Sequence, residues 1–271
     1  MSHAPVGVFD SGIGGLSVAR EIRRALPAEE LLYFADTAYV PYGDRTTEWV
    51  RNRSLTVGRY LQERGAKVLV VACNTASGAA LEALREHLAV PVIGLEPAVK
   101  PAVRDSAAGR IGVMATTGTL RSDRYARLVS AHGTGATVVA QACPGLADTV
   151  EEGILSGEEL DRRLEPFVAQ LREARVDTVV LGCTHYVFIR DAIARALGPD
   201  VRLIDSGGAI ARQTERILRE RGELADLGEG ALRILTTGPA PEVAAVVARI
   251  WGDALPVEHV HVPGEEPIAT G

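Results

Sequence analysis

The sequence predicts an α/β protein of two similar lobes, each a mostly parallel sheet flanked by helices, with an active site in the cleft between them. Three observations predict it. Short apolar, β-branched runs alternate along the chain with stretches of helical period, the pattern of doubly wound parallel sheets. One such run, residues 68–72, stops at Cys73 and enters a helix through Asn74-Thr75. A second, residues 178–182, stops at Cys183 and continues through Thr184-His185-Tyr186. The C-terminal edge of parallel strands is where such sheets bind ligands, and a helix N-terminus there favours a thiolate. Two units of this kind in one chain place two thiols where they can face one ligand.

Taken in order, Val6–Asp10 reads as a strand leading into Asp10-Ser11-Gly12-Ile13-Gly14-Gly15, then a helix paced by Leu16, Ala19, Ile22 and Leu26. The glycine-rich turn lacks both the dinucleotide spacing and a Walker lysine. What it does supply at the ligand edge is a carboxylate, a hydroxyl and close backbone approach. Leu31–Ala35 is a strand feeding a long loop, Asp36 to Arg45, of the length that carries function. A helix over Thr46–Arg64 precedes the Cys73 unit, and Val90–Leu95 is a short strand. Glu96–Ser106 reads as a connector.

Strand 110–115 then ends in Thr116-Thr117-Gly118-Thr119, followed by a helix over Leu120–Ala131 and a strand over Thr137–Ala142. Residues 143–153 read as an irregular loop carrying the adjacent carboxylates Glu151 and Glu152. A helix over Glu158–Ala174 leads to the Cys183 unit, whose threonine is expected to enter a helix directly. Val201–Ile204, Leu232–Leu235 and Val257–Val262 are strands, with a helix over Pro239–Trp251. The expected lobes are 1–97 with about 208–263, and 98–207. The tail 264–271 is expected to be loose.

Composition removes other classes. No apolar run approaches the roughly 20 residues of a membrane span, and Met-Ser-His-Ala-Pro carries no basic-then-apolar signal, so a cytoplasmic protein without membrane contact is expected. A net charge of −6 leaves no footprint for nucleic acid. Three cysteines without an export signal argue against a disulfide framework, and no Cys-x-x-Cys or histidine cluster suggests a metal. The only lysines are Lys67, at the sheet edge opposite the site, and Lys100. Neither suits a pyridoxal phosphate Schiff base, so no cofactor is expected.

Two thiols flanking one carbon can invert it. A thiolate removes a proton from one face while a thiol opposite returns one, and like-charge repulsion favours that mixed state. A cysteine near its ordinary pKa of about 8.5, lowered by a helix N-terminus, would serve as the base. Ser11, Asn74, Thr75, Thr116, Thr119 and Thr184 supply donors suited to carboxylates, of which a dicarboxylic amino acid offers several. Asp10, Glu151 and His185 are the titratable groups expected near the thiols.

Asp10-Ser11-Gly12-Ile13-Gly14-Gly15-Leu16, Val40-Pro41-Tyr42-Gly43, Ala72-Cys73-Asn74-Thr75-Ala76 and Leu181-Gly182-Cys183-Thr184-His185-Tyr186 together resemble the glutamate racemases. The match continues through the Thr116-x-x-Thr119 turn, Cys143-Pro144 and Thr236-Thr237-Gly238. The resemblance implies a cofactor-independent isomerase interconverting L- and D-glutamate for peptidoglycan, commonly a homodimer. It implies that Cys73 takes the proton from D-glutamate, assisted by Asp10, and Cys183 from L-glutamate, assisted by His185 and Glu151. It further implies substrate contacts from Asp10, Ser11, Tyr42, Gly43, Asn74, Thr75, Thr184 and His185, with Thr116 and Thr119 contributing.

The chain departs from the family in Val187-Phe188, where proline is usual, and in Gly145–Thr149, where bulky apolar residues are usual. The second departure leaves Glu151 and Glu152 as alternatives. Three other readings compete. One is a racemase or isomerase acting on aspartate, hydantoins or maleate, and another is a catalytically silent binding protein on this fold. The third is a cysteine hydrolase built on Cys183 and His185, which leaves the duplicated cysteine without a use.

Overall fold

Parallel strands joined by crossover helices build two sheets in the computed structural model, which describes residues 4–263. The expected loose tail, 264–271, lies outside the described residues. The first half runs β1 (Val6–Asp10), α1 (Leu16–Ala25), β2 (Leu31–Ala35), α2 (Thr47–Glu63), β3 (Val68–Val71), α3 (Asn74–His87) and β4 (Val92–Gly94). The chain then crosses to α4 (Val99–Asp105), β5 (Arg110–Ala115), α5 (Thr117–Arg121), α6 (Asp123–His132), β6 (Thr137–Ala142), α7 (Leu146–Glu151) and α8 (Glu158–Glu173). β7 (Thr178–Leu181), α9 (Arg190–Leu197) and β8 (Arg202–Ile204) complete that second unit. The return path is α10 (Gly207–Glu220), β9 (Leu232–Thr236), α11 (Ala240–Trp251) and β10 (Val257–His259).

The six-stranded sheet has the order β10-β9-β2-β1-β3-β4 and the four-stranded sheet β6-β5-β7-β8. Every pairing is parallel. The cores of the two sheets wind identically. β2-β1-β3-β4 and β6-β5-β7-β8 each start in the middle, step to one side, and return past the first strand. The order reverses between β1 and β3 in one lobe and between β5 and β7 in the other. Open sheets bind ligands at that reversal, beyond the carboxyl ends of the strands. Asp10 and Cys73 stand there in the first lobe, Thr116 and Cys183 in the second.

Strands β1, β2, β3 and β7 are buried along their whole length, as their unbroken apolar runs require. Both faces of the first sheet are covered. Val8, Val70, Ile22 and Ile210 pack on one side, and Phe9, Val71, Val57 and Leu84 on the other. Lys67, at the far edge, is buried in an ion pair with Glu29 (2.7 Å). Among the described residues no helix is long and apolar enough to cross a membrane.

Four expectations need correction. The 96–106 connector contains α4, which tolerates Pro101 because its first turn needs no N–H there. The 143–153 loop contains α7, entered through Gly145 at φ 75°, with Leu146, Ala147, Thr149 and Val150 turned inward. The single helix over 120–131 is two, because Ser122 leaves helical geometry and caps α6 through the Tyr125 N–H. Behind Cys183 the chain forms a 3₁₀ turn, Thr184–Ile189, before α9 begins.

Candidate active site

Twelve of the thirteen residues singled out from sequence line one small cavity between the lobes: Asp10, Ser11, Tyr42, Gly43, Cys73, Asn74, Thr75, Thr116, Thr119, Cys183, Thr184 and His185. The thirteenth, Glu151, stands directly behind His185. Val40, Pro41, Ala147 and Gly182 complete the wall. Of these, Ala147 had no sequence signal, since its helix reads as a loop. The space amounts to about 20 Å3, room for a water or two. The cleft is closed.

Cys73 has extended backbone (φ −127°, ψ 121°) because β3 has ended and α3 has not begun. Its Sγ caps α3 by accepting the Ala76 N–H at 3.4 Å and lies 3.7 Å from Ser11 Oγ. Ser11 in turn donates from N and Oγ to Asp10 Oδ1, at 2.6 and 3.2 Å. A hydroxyl thus links thiol and carboxyl. Asp10 is fully buried and accepts Thr184 Oγ1 of the other lobe at 3.0 Å. Burial pushes the Asp10 carboxyl up, against the opposing pull of His185 and the Thr184 hydroxyl.

The expectation that a helix N-terminus lowers the Cys73 thiol is not met. Burial pushes it well above its ordinary value and the Asp10 carboxylate adds to that, outweighing the Ala76 and Ser11 hydrogen bonds. In the closed cleft Cys73 keeps its proton.

Cys183 occupies the equivalent place after β7, again extended (φ −136°, ψ 135°). Its partner is an imidazole: Sγ lies 3.6 Å from His185 Nδ1, and His185 Nε2 lies 2.6 Å from Glu151 Oε1. Burial opposes charge on His185. The hydrogen bonds to Cys183 and Glu151 nonetheless raise its pKa well above the ordinary range, favouring the protonated ring. Glu151 Oε1 also accepts the Ile13 N–H at 2.7 Å, tying the Cys183–His185–Glu151 chain of contacts to the opposite lobe. Glu152 instead pairs with Arg163 on the surface at 2.7 Å. Of the two adjacent carboxylates, Glu151 is the one in contact with His185.

The glycine-rich turn after β1 makes room for Glu151 and His185. A Cβ on Gly12 would lie 1.9 Å from Glu151 Oε1, and one on Gly14 would lie 2.4 Å from His185 Nδ1. Close approach, rather than phosphate binding, is what those glycines provide.

Three threonines bridge the lobes at the other end of the cavity. Thr75 Oγ1 lies 2.8 Å from Thr116 Oγ1 and 3.2 Å from Thr119 Oγ1. Asn74 is buried, and its Oδ1 has no partner among the described residues. Tyr42 turns its hydroxyl away from the cavity to donate to Asp36 Oδ2, leaving its ring and the Gly43 backbone on the wall. Cys143 is buried outside the cavity with its thiol donating to Gln141 O. Among the described residues no cluster of three His, Cys, Asp or Glu is arranged to hold a metal.

Known proteins share this architecture. The Asp/Glu/Hydantoin racemase family model matches residues 6–214, spanning both sheets' cysteine units. A glutamate racemase of Pseudomonas paraeruginosa is 48% identical over 250 residues, covering 92% of this chain and 94% of that one. A glutamate racemase of Bacillus anthracis superposes with a TM-score of 0.89 at 36% identity, over 98% of this chain and all (100%) of the other. The Escherichia coli glutamate racemase, solved with L-glutamate and the activator UDP-MurNAc-ala, gives 0.83 at 33% identity, over 96% and 100% of the two chains. With a family model covering both thiol-bearing strands and relatives matching nearly end to end, the chain belongs to the Asp/Glu/Hydantoin racemase family.

Proposed function

We propose that the protein is a cofactor-independent glutamate racemase that inverts the α-carbon by proton transfer between two cysteines. One observation carries the reading: Cys73 and Cys183, from equivalent strands of two alike lobes, line a single cavity, each with its own titratable partner. The relatives named glutamate racemase, one of them holding L-glutamate, support the choice of substrate.

The chemistry follows from the partners. For D-glutamate, Cys73 must first lose its proton, and the path runs through Ser11 Oγ to the raised Asp10 carboxyl. The substrate ammonium, arriving beside these groups, offsets the cost of a buried thiolate. The Cys73 thiolate then takes the α-proton, and the Cys183 thiol gives one to the opposite face, resupplied by His185. For L-glutamate the transfers run the other way, with Glu151 holding the imidazole in place. Asn74, Thr75, Thr116, Thr119 and Thr184 meet the carboxylates, with the Tyr42–Gly43 segment as the facing wall. Glutamate does not fit the closed cavity, so binding requires the lobes, 1–97 with about 208–263 and 98–207, to part. The same reading makes the protein a cytoplasmic homodimer supplying D-glutamate for peptidoglycan.

The test is a proton NMR time course with L-glutamate in D2O, alongside optical rotation. Loss of the α-proton together with rotation is expected, and Cys73→Ala and Cys183→Ala are each expected to stop racemisation. Racemisation by either folded variant refutes the two-base scheme. Exchange with aspartate but not glutamate replaces the substrate.

A further inference from the structure

One buried cluster beside the cavity belongs to no part of the proton relay. Asp36 closes β2 and is fully buried. Arg53, on α2, reaches it with Nε and Nη2, each at 2.7 Å. Arg53 Nη1 donates to the carbonyls of Val262 and Pro263, both at 3.1 Å, and its guanidinium lies 4.0 Å from the Tyr39 ring centroid. The carboxylate's remaining capacity goes to the Tyr42 hydroxyl and to Thr237 Oγ1, the latter at 3.0 Å. Thr237 also accepts the Ala38 N–H at 3.1 Å, and Gly238 N donates to Thr37 Oγ1 at 3.0 Å. The Thr236-Thr237-Gly238 segment, singled out from sequence without a role, thus grips the segment that carries Tyr42 and Gly43.

A pair this deeply buried is a poor stability device, because apolar residues of like volume serve as well. What it supplies is geometry. Gly43 sits against Thr116, where a Cβ would come within 2.9 Å, so the wall it forms leaves little tolerance. We propose that Asp36, Arg53 and Thr237 are positioning residues that hold the Tyr42–Gly43 segment in register with the opposite lobe, fixing the substrate-binding wall. This rests on the glutamate reading above.

The experiment compares Thr237→Val and Asp36→Asn with a control, Lys67→Met, which breaks an equally buried ion pair at the opposite end of the same sheet. KM and kcat for both glutamate enantiomers are measured on protein whose folding is checked by near-ultraviolet circular dichroism. Thr237→Val removes two hydrogen bonds, to Asp36 and from the Ala38 N–H, but no charge, and is the gentler change should Asp36→Asn fold poorly. A displaced wall weakens binding before chemistry, so KM is expected to rise about ten- to a hundredfold with kcat nearly unchanged. Lys67→Met is expected to lose stability and keep its KM. Folded Thr237→Val or Asp36→Asn protein with a wild-type KM overturns the proposal, and so does an equal KM rise in Lys67→Met. Wild-type protein silent towards glutamate overturns the functional reading itself, and the clamp's role with it.

Discussion

Replacing Glu151 by Gln tests the His185 relay with little change of shape. Glu151 Oε1 accepts from His185 Nε2 at 2.6 Å and from Ile13 N at 2.7 Å, and an amide oxygen can still accept one of these. What disappears is the charge. A hydrogen bond to a charged group contributes about 1.5–3 kcal/mol, so kcat/KM should fall by roughly 10- to 150-fold. Enantiomers have equal free energies, so the fall must be the same for L- and D-glutamate even though the relay serves Cys183 alone. The two assays therefore check each other.

Stability gives an independent readout with a definite sign. The folded-state pKa of His185 is raised, held up by Cys183 and Glu151 against burial. A raised pKa contributes stability that is complete below the unfolded value of about 6.5 and is lost as pH rises through the folded value. Glu151→Gln should therefore destabilise by about 1.5–3 kcal/mol near pH 6, and by less at alkaline pH. Urea melts at a series of pH values measure this. A variant with near wild-type kcat/KM, or one whose deficit grows with pH, would refute the relay.

Gly14→Ala would place a methyl 2.4 Å from His185 Nδ1, so activity should fall by at least the factor expected for Glu151→Gln while the far-ultraviolet spectrum stays native. Recovery of full activity would show that the imidazole has room to move. Cys143→Ala removes a buried thiol that lies outside the cavity, and should keep most of the racemisation while losing about 1 kcal/mol of stability. Its inactivation would mean that a third thiol takes part in the reaction.

The fold was legible wherever one feature was strong and local. Buried parallel strands announce themselves as apolar runs, and the Cys73 and Cys183 units share a pattern that marks the ligand edge of each sheet. Short helices were not legible. α7 has one inward face of four residues, and its entry depends on Gly145 in a left-handed conformation, which composition does not distinguish from a loop. The same limit left Glu151 and Glu152 open, because a one-residue choice on a single helical turn is made by packing against Gly12 and His185. The rise of the Cys73 thiol is illegible in sequence for another reason. A helix N-terminus is visible in sequence, whereas the complete burial and the Asp10 carboxylate that outweigh it come from tertiary structure. Asp36 and Arg53 lie 17 positions apart with nothing local to join them.

The two lobes also explain how one site can serve mirror-image substrates without being symmetric itself. Identical winding delivers a cysteine after β3 and another after β7, so both thiols line one cavity from opposite lobes, as the proposed two-base reaction needs. Had their partners matched as well, nothing would decide where the proton rests between turnovers. They do not match. Cys73 is linked through a serine hydroxyl to a buried carboxyl and holds its proton, while Cys183 faces an imidazolium kept charged by Glu151. In the proposed reaction, fold symmetry supplies the two faces of attack, and the unequal partners set the direction in which each proton must move first. Exchanging Asp10 for Asn would remove the acceptor at the end of the Ser11 path. Removal of the D-glutamate proton should then slow in the first turnover, before the return proton from Cys183 is needed. Single-turnover deuterium exchange from D-glutamate reads that step, and an unchanged rate would remove Asp10 from the path.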